Sequence, residues 1–136
     1  MDIQEFNRTV IEEFRANGGK VGGQMEGMPL LLLHTVGAKS GAARVNPLAY
    51  LADGSRYVII ASFAGNAHHP PWYHNLIAQP DVTIEVGDET FEAHATVLGE
   101  PMRSDLYAKM EQQLPVFTEY REKTSRTIPV IALSRR

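Results

Sequence analysis

The 136-residue chain has no cysteine. That excludes disulfide frameworks, iron–sulfur clusters and thiolate zinc sites. No apolar run approaches the roughly 20 residues that cross a bilayer. No excess of positive charge exists either: 13 Lys and Arg face 16 Asp and Glu, a net charge of -3. This removes any general case for nucleic-acid binding. The N-terminus lacks a basic leader followed by an apolar stretch, so no secretory signal is expected and the cytoplasm is the expected location. Internal repeats, low-complexity tracts and linkers are also missing. What remains is a 43% hydrophobic, 21% charged chain, a balance that fits a single globular domain over residues 1–136.

Ile3, Phe6, Val10, Ile11 and Phe14 fall on one helical face, predicting an N-terminal helix over residues 2–17 that ends at Gly18 and Gly19. Asp2 and Glu5 resemble a capping pair. Packing on the core is the plain reading of this helix; its amphipathicity also permits contact with a membrane surface. Residues 18–28 are rich in glycine and suit a segment that closes over a substrate. Leu30 to Val36 reads as a buried strand, with His34 as an interruption. Arg44 to Ala52 reads as a second strand, and Pro47 places it at an edge or a bulge. Asp53-Gly54 signals a hairpin into a third strand over Arg56 to Phe63. Pro71 can open a short helix ended by Pro80. Val82, Ile84 and Val86, then Phe91, Ala93, Ala95 and Val97, alternate as a hairpin about Gly87-Asp88. Leu106, Met110 and Leu114 mark another helix, Phe117 and Tyr120 a shorter one, and Ile128 to Leu133 a last strand. Six strands joined mainly by hairpins predict an antiparallel barrel with flanking helices, not a doubly wound sheet.

Two segments carry chemistry. The first is the turn Gly37 to Arg44. Its glycines admit close backbone approach to a ligand, and Lys39, Ser40 and Arg44 supply cationic and hydroxyl donors. No acid occurs between Glu26 and Asp53, so this stretch is locally positive and suits a phosphate or polycarboxylate. Ala38 before Lys39 and Leu33 at the first glycine position exclude a Walker A loop. A solvated turn with surface charges is the plain alternative.

The second segment runs from Ala61 to Leu76. Ala61, Ser62, Ala64 and Gly65 are small and leave room beside the backbone. Trp72 offers a flat face with one donor, either as a core anchor or for ligand stacking. His68, His69 and His74 show no HxxH or HExxH spacing, so no metal is expected. His34 and His94 read as isolated strand residues.

Taken together, the chain resembles the deazaflavin-dependent nitroreductase and quinone reductase family. The resemblance is carried by Leu32 to Gly41, Arg44-Val45-Asn46-Pro47-Leu48, Asp53-Gly54, Tyr57 to Ser62, Pro71-Trp72-Tyr73-His74-Asn75-Leu76, Gln79-Pro80-Asp81-Val82, Tyr120 and Arg126 to Val130. It covers nearly the whole chain in order. It implies a split β-barrel and coenzyme F420, a 5-deazaflavin whose tail carries a phosphate and glutamates. By that resemblance Ala38, Lys39, Ser40, Gly41, Arg44, Val45, Asn46, Pro47, Leu48 and Ala49 line the tail and one ring edge. Ile60, Ala61, Ser62, Phe63, Pro71, Trp72, Tyr73, His74 and Asn75 line the rest of the groove. Phe117 and Tyr120 face the substrate, and Ser62 and Tyr120 are the candidate proton donors. The expected activity is hydride transfer from reduced F420 to a quinone, nitroaromatic or similar acceptor, by a monomer or homodimer. An FMN enzyme on the same barrel, or a non-catalytic carrier of a small ligand, are the alternatives.

Overall fold

A computed structural model describes residues 3–23 and 26–136. The expected Asp2–Glu5 capping pair lies outside these residues. Strands β1 (Leu30–Val36), β2 (Ala43–Ala49), β3 (Leu51–Asp53), β4 (Arg56–Ile60), β5 (Asp81–Val86), β6 (Glu89–Val97) and β7 (Val130–Arg135) accompany helices α1 (Ile3–Ala16), α2 (Pro71–Ala78), α3 (Met102–Gln113) and α4 (Val116–Lys123). The seven strands form one sheet in the order β2-β1-β5-β6-β7-β4-β3, and every pairing is antiparallel.

The sheet's two edge strands, β2 and β3, are separated in sequence by Tyr50 alone. Laid flat, seven strands at about 4.8 Å spacing would hold their edges about 29 Å apart. One intervening residue spans at most about 7 Å. The sheet therefore curls until its edges meet at Tyr50. Its amide donates to Pro29 O at 3.0 Å, and its carbonyl accepts from Gln113 at 3.0 Å. Past Val58, β4 pairs only with β7, and β2 pairs only with β1. The barrel is split between them. The expected single strand over Arg44 to Ala52 is thus two strands, because the chain changes pairing partner at Tyr50. The strand expected to reach Phe63 stops at Ile60.

Alternation sorts the strand residues onto two faces. Leu31, Leu33, Ile59, Ile84, Ala93, Ile131 and Leu133 line the concave face, which α2 plugs with Trp72 and Leu76. On the convex side, Val58, Ile60, Val130 and Ala132 pack against Leu106, Tyr107 and Met110 of α3 and Phe117 of α4. Leu30 and Leu32 pack against Val10 and Phe14 of α1. Val10 and Phe14 of α1 are thereby covered by the barrel, and among the described residues Phe6 is the large apolar side chain of this helix that stays exposed. Gly19 abuts the β5–β6 turn, where an added Cβ would stand 2.8 Å from Gly87 Cα.

His34 and His94 are not isolated. The Glu85 carboxylate accepts from His34 Nε2 at 2.6 Å and from Arg15 at 2.8 Å. Asp81, directly across from His94, accepts from its Nδ1 at 2.7 Å. Cross-strand adjacency on the polar convex face supplies both partners. Hydrogen bonding from Arg15, opposed by partial burial and aided by His34, holds the Glu85 carboxyl below its ordinary range.

Candidate active site

The turn after β1 and the helix α2 are stitched together by one side chain. Asn75, 8% exposed, donates from Nδ2 to Thr35 Oγ1 at 3.1 Å and accepts the Ala38 amide on Oδ1 at 2.9 Å. The backbone donor at Ala38 fixes which way the Asn75 amide faces. Inside the turn, Gly37 donates to Ala42 O at 2.8 Å and Gly41 to Gly37 O at 2.9 Å. Ser40 Oγ accepts the Ala42 amide at 3.2 Å. That hydroxyl is thus engaged in shaping the turn. A Cβ on Gly37 would stand 2.5 Å from it, so a side chain there would displace the Ser40 hydroxyl from this bond.

Lys39 and Arg44 project from this rigid turn, exposed. Among the described residues neither has a hydrogen-bond or ion-pair partner, while most other arginines are paired, as Arg15, Arg56, Arg103, Arg121 and Arg135 are. The register Thr35↔Arg44, Leu33↔Asn46, Leu31↔Leu48 puts Arg44, Asn46 and Leu48 on the concave face. Val45 and Ala49 have the opposite parity and pack with α1, as a pleated strand requires. The run Arg44 to Ala49 therefore offers alternate side chains to a groove, not all six. A cavity of about 370 Å³ touches this end of the sheet; beside Thr35, Val36, Arg44 and Arg136 it is lined by the acids Asp81 and Glu92.

On the other rim, β4 leads into Ser62 and a turn with three successive left-handed residues: Phe63 (φ 48°), Ala64 (φ 53°) and Gly65 (φ 77°). The two non-glycine residues store strain of about 1–3 kcal/mol each. A Cβ on Gly65 would stand 2.9 Å from Tyr120 O and 2.8 Å from Lys123 Cβ, so glycine lets α4 close onto the turn. Ser62 is buried at 6%. Among the described residues no group bonds its hydroxyl, and no fully buried side-chain polar atom lacks a partner. That hydroxyl therefore reaches solvent.

Such a site has unpaired cations and backbone donors on one rim and an accessible hydroxyl on the other. It can hold an elongated ligand with an anionic tail. Comparison with known proteins narrows the ligand. Residues 6–135 match the model of the F420H(2)-dependent quinone reductase family. The chain belongs to that family.

An F420H(2)-dependent quinone reductase of Mycobacterium tuberculosis (strain H37Rv) is 42% identical over 129 residues, spanning 90% of this chain and 85% of the relative. A solved F420-H2 dependent reductase, FDR-A, superposes with a TM-score of 0.71 at 34% identity, covering 78% of this chain and 94% of that one. A further structure, described as a domain-swapped dimer, has a TM-score of 0.74 at 30% identity and covers 98% of this chain and 100% of its own. The split-barrel fold and an F420H2-dependent reductase activity follow from this membership. An FMN cofactor finds no support in it.

Within this reductase, the residues expected at the site fall into three groups. Ala38, Lys39, Gly41, Arg44, Asn46, Leu48, Ser62, Phe63 and Asn75 lie on the two rims. Trp72 is 6% exposed in the concave core and anchors α2, with Tyr73 packed beside it; Pro71 and His74 are exposed at the start of the helix. Ile60, Ala61, Val45, Ala49 and Phe117 face packed clusters; Pro47 shares the strand face of Val45 and Ala49, and Ser40 sits in the turn on the first rim. Phe117, expected to face the substrate, lies 7% exposed against α3, with its carbonyl accepting the Tyr107 hydroxyl at 2.7 Å. The short helix α4 turns Phe117 inward and leaves Tyr120 half-buried on top of it, ring centroids 5.3 Å apart. Thr35 and Arg126 belong to the segments that carry the family resemblance, but the sequence assigns neither a site role. Thr35 carries a further signal, a hydroxyl at an inward position of an apolar strand. The contacts of Arg126 leave none, because its partners lie 57–64 residues away.

Among the described residues no three His, Asp or Glu side chains gather as metal ligands would, and no helix is long and apolar enough to cross a membrane.

Proposed function

We propose that this reductase binds reduced coenzyme F420 across the split of its barrel and delivers hydride to a quinone, with nitroaromatics as related acceptors. The observation that carries the reading is the pair of unpartnered cations, Lys39 and Arg44, on a turn locked by Asn75. A phosphate and glutamate tail needs fixed cations without internal counter-ions, and these residues fit it. The Ala38 to Gly41 turn, with Arg44, Asn46 and Leu48, would hold the tail and one ring edge. Ser62, Phe63 and the exposed start of α2 would hold the other edge.

When bound, reduced F420 supplies the hydride from ring carbon 5. The protein's part is placement: the Asn75 clamp keeps the cationic turn in one position, so tail binding fixes the far ring. A quinone that accepts hydride on one oxygen-bearing ring gains negative charge on oxygen and needs one proton. Ser62 Oγ and Tyr120 Oη stand on the rim as donors, with solvent as the reserve.

The same reading extends to setting and assembly. A small-molecule acceptor in a cysteine-free protein suits the reducing cytoplasm. Pairing into a homodimer is supported by the domain-swapped relative and is checked by sedimentation. Contact of α1 with a membrane would need apolar surface beyond Phe6.

Anaerobic mixing of the protein with reduced F420 and menadione tests the function. Appearance of the oxidised deazaflavin's absorbance and fluorescence at a protein-dependent rate supports it. Binding without turnover over a panel of quinones and nitroaromatics would make the protein a carrier instead.

A further inference from the structure

The half-buried guanidinium of Arg126, on the coil before β7, has an unusual set of partners. Nη2 donates to Ser62 O at 2.7 Å, Nε to Asn66 O at 2.9 Å, and Nη1 meets His69 Nδ1 at 3.0 Å. All three belong to the segment that follows β4. Among the described residues no carboxylate faces this cation. The Tyr107 hydroxyl, whose field reaches Arg126, is pushed up to about 12 chiefly by burial and is neutral, so it is no counter-ion. An arginine is always protonated and can only donate. His69 Nδ1 must therefore accept, which leaves the ring neutral with its proton on Nε2. Burial first, then the charge of Arg126 and then His74 lower the His69 pKa from its ordinary value. The His69 ring also lies 4.7 Å from the Tyr73 ring and 6.0 Å from that of His74. On the far side of the turn, Lys123 packs against Gly65.

We propose that Arg126 is a positioning residue of the reductase site, holding Ser62 and the left-handed turn in place through a clamp that closes only while His69 is neutral. A strained turn persists only where its surroundings over-determine it. Here three donors from one planar group bind its start, its end and the histidine beyond. Protonation of His69 removes the third acceptor and sets a second positive charge 3.0 Å from the first. His74, Tyr73, Lys123 and Tyr107, the other titratable groups around the clamp, supply no negative charge to offset it. The Ser62 carbonyl then loses a fixed anchor. The inference rests on the proposed F420 site, because Ser62 matters only if hydride transfer happens beside it.

The ligand-free protein provides a first test. Nitrogen-resolved NMR of the His69 ring should show one tautomer, Nε2–H, and a titration below the ordinary value of about 6.5. Arg126→Met should return that titration toward the ordinary value. With reduced F420 and menadione, the same variant should lose about tenfold or more in kcat while cofactor Kd stays within about threefold, since the tail cations sit on another element. Arg126→Lys, with its single point charge, should recover part of kcat. His69→Gln offers an acceptor that does not titrate, so the acid limb of the wild-type kcat profile should disappear. An ordinary His69 titration with mixed tautomers, an unchanged kcat in Arg126→Met, or an acid limb that survives in His69→Gln each overturns the proposal. Failure of the wild type to bind reduced F420 would remove the site reading instead, and the NMR titration would still decide the clamp.

Discussion

The two rims of the split handle positive charge in opposite ways. On the β1–β2 rim, Lys39 and Arg44 are exposed and unpartnered, while the turn beneath them is held by neutral hydrogen bonds to Asn75, Thr35 and Ser40. On the β4 rim, Arg126 is half-buried and its donors are all directed at the loop itself. One rim holds its shape without using its cations and leaves them exposed. The other uses its cation to hold a strained shape. A charge left without a counter-ion inside a protein therefore has two meanings, and its local partners distinguish them. Exposure without an acceptor leaves a cation open to a ligand, the role proposed for Lys39 and Arg44; burial with several backbone acceptors points inward to scaffolding.

Several substitutions can break or sharpen this contrast. The largest effect is expected from Lys39→Glu with Arg44→Glu. Loss of two charge-assisted contacts should weaken reduced F420 by about 100-fold or more, with little change in urea unfolding. Unchanged affinity in a fluorescence titration would mean that the exposed rim does not hold the tail.

Asn75→Leu should act on the same rim through stability. It leaves the buried Thr35 hydroxyl and the Ala38 amide without partners, at a cost of about 2–4 kcal/mol, read from the shift in a urea midpoint. Cofactor affinity should fall with it, because the turn loses its fixed position.

Gly65→Ala probes the opposite rim. Its φ of 77° and the 2.9 Å approach to Tyr120 O predict a loss of about 1–3 kcal/mol and a drop in kcat as α4 is pushed off the turn. A stable variant with normal turnover would show that the tight contact is dispensable. Tyr120→Phe, which removes only a hydroxyl, should lower kcat several-fold with cofactor affinity unchanged; equal turnover would leave Ser62 or solvent as the proton source.

The smallest effect belongs to Glu85→Gln, away from both rims. Because the folded-state pKa of Glu85 is depressed, its stabilising contribution is present above the ordinary carboxylate value. It is lost as pH falls through the folded value. Wild type should exceed the variant by under about 1 kcal/mol near pH 7, and the two should converge in acid. A gap that persists at low pH would show that the group acts by shape and not by charge.

The two faces of β5 and β6 were readable because one parity is apolar and the hairpin turn between them carries Gly87. The break at Tyr50 was not readable. No glycine or proline stands there, and the chain changes partner only because the curled sheet brings its edges together. Arg44 to Ala49 has apolar residues on both parities, Val45 and Ala49 against Leu48, so alternation alone could not say which side faces a ligand. The helix α1 decided that by covering one of them. Phe117 and Tyr120 look equivalent as aromatics one turn apart, and packing against Tyr107 separated them.

By itself the order of residues determined the strand periods, the glycine turns and the acid-free stretch around Lys39 and Arg44, since each is a property of neighbours along the chain. Only the tertiary structure decided what those cations lack and what Arg126 has. Counter-ions and acceptors are matters of distance in space, and a partner some 60 residues away in sequence leaves no periodic trace.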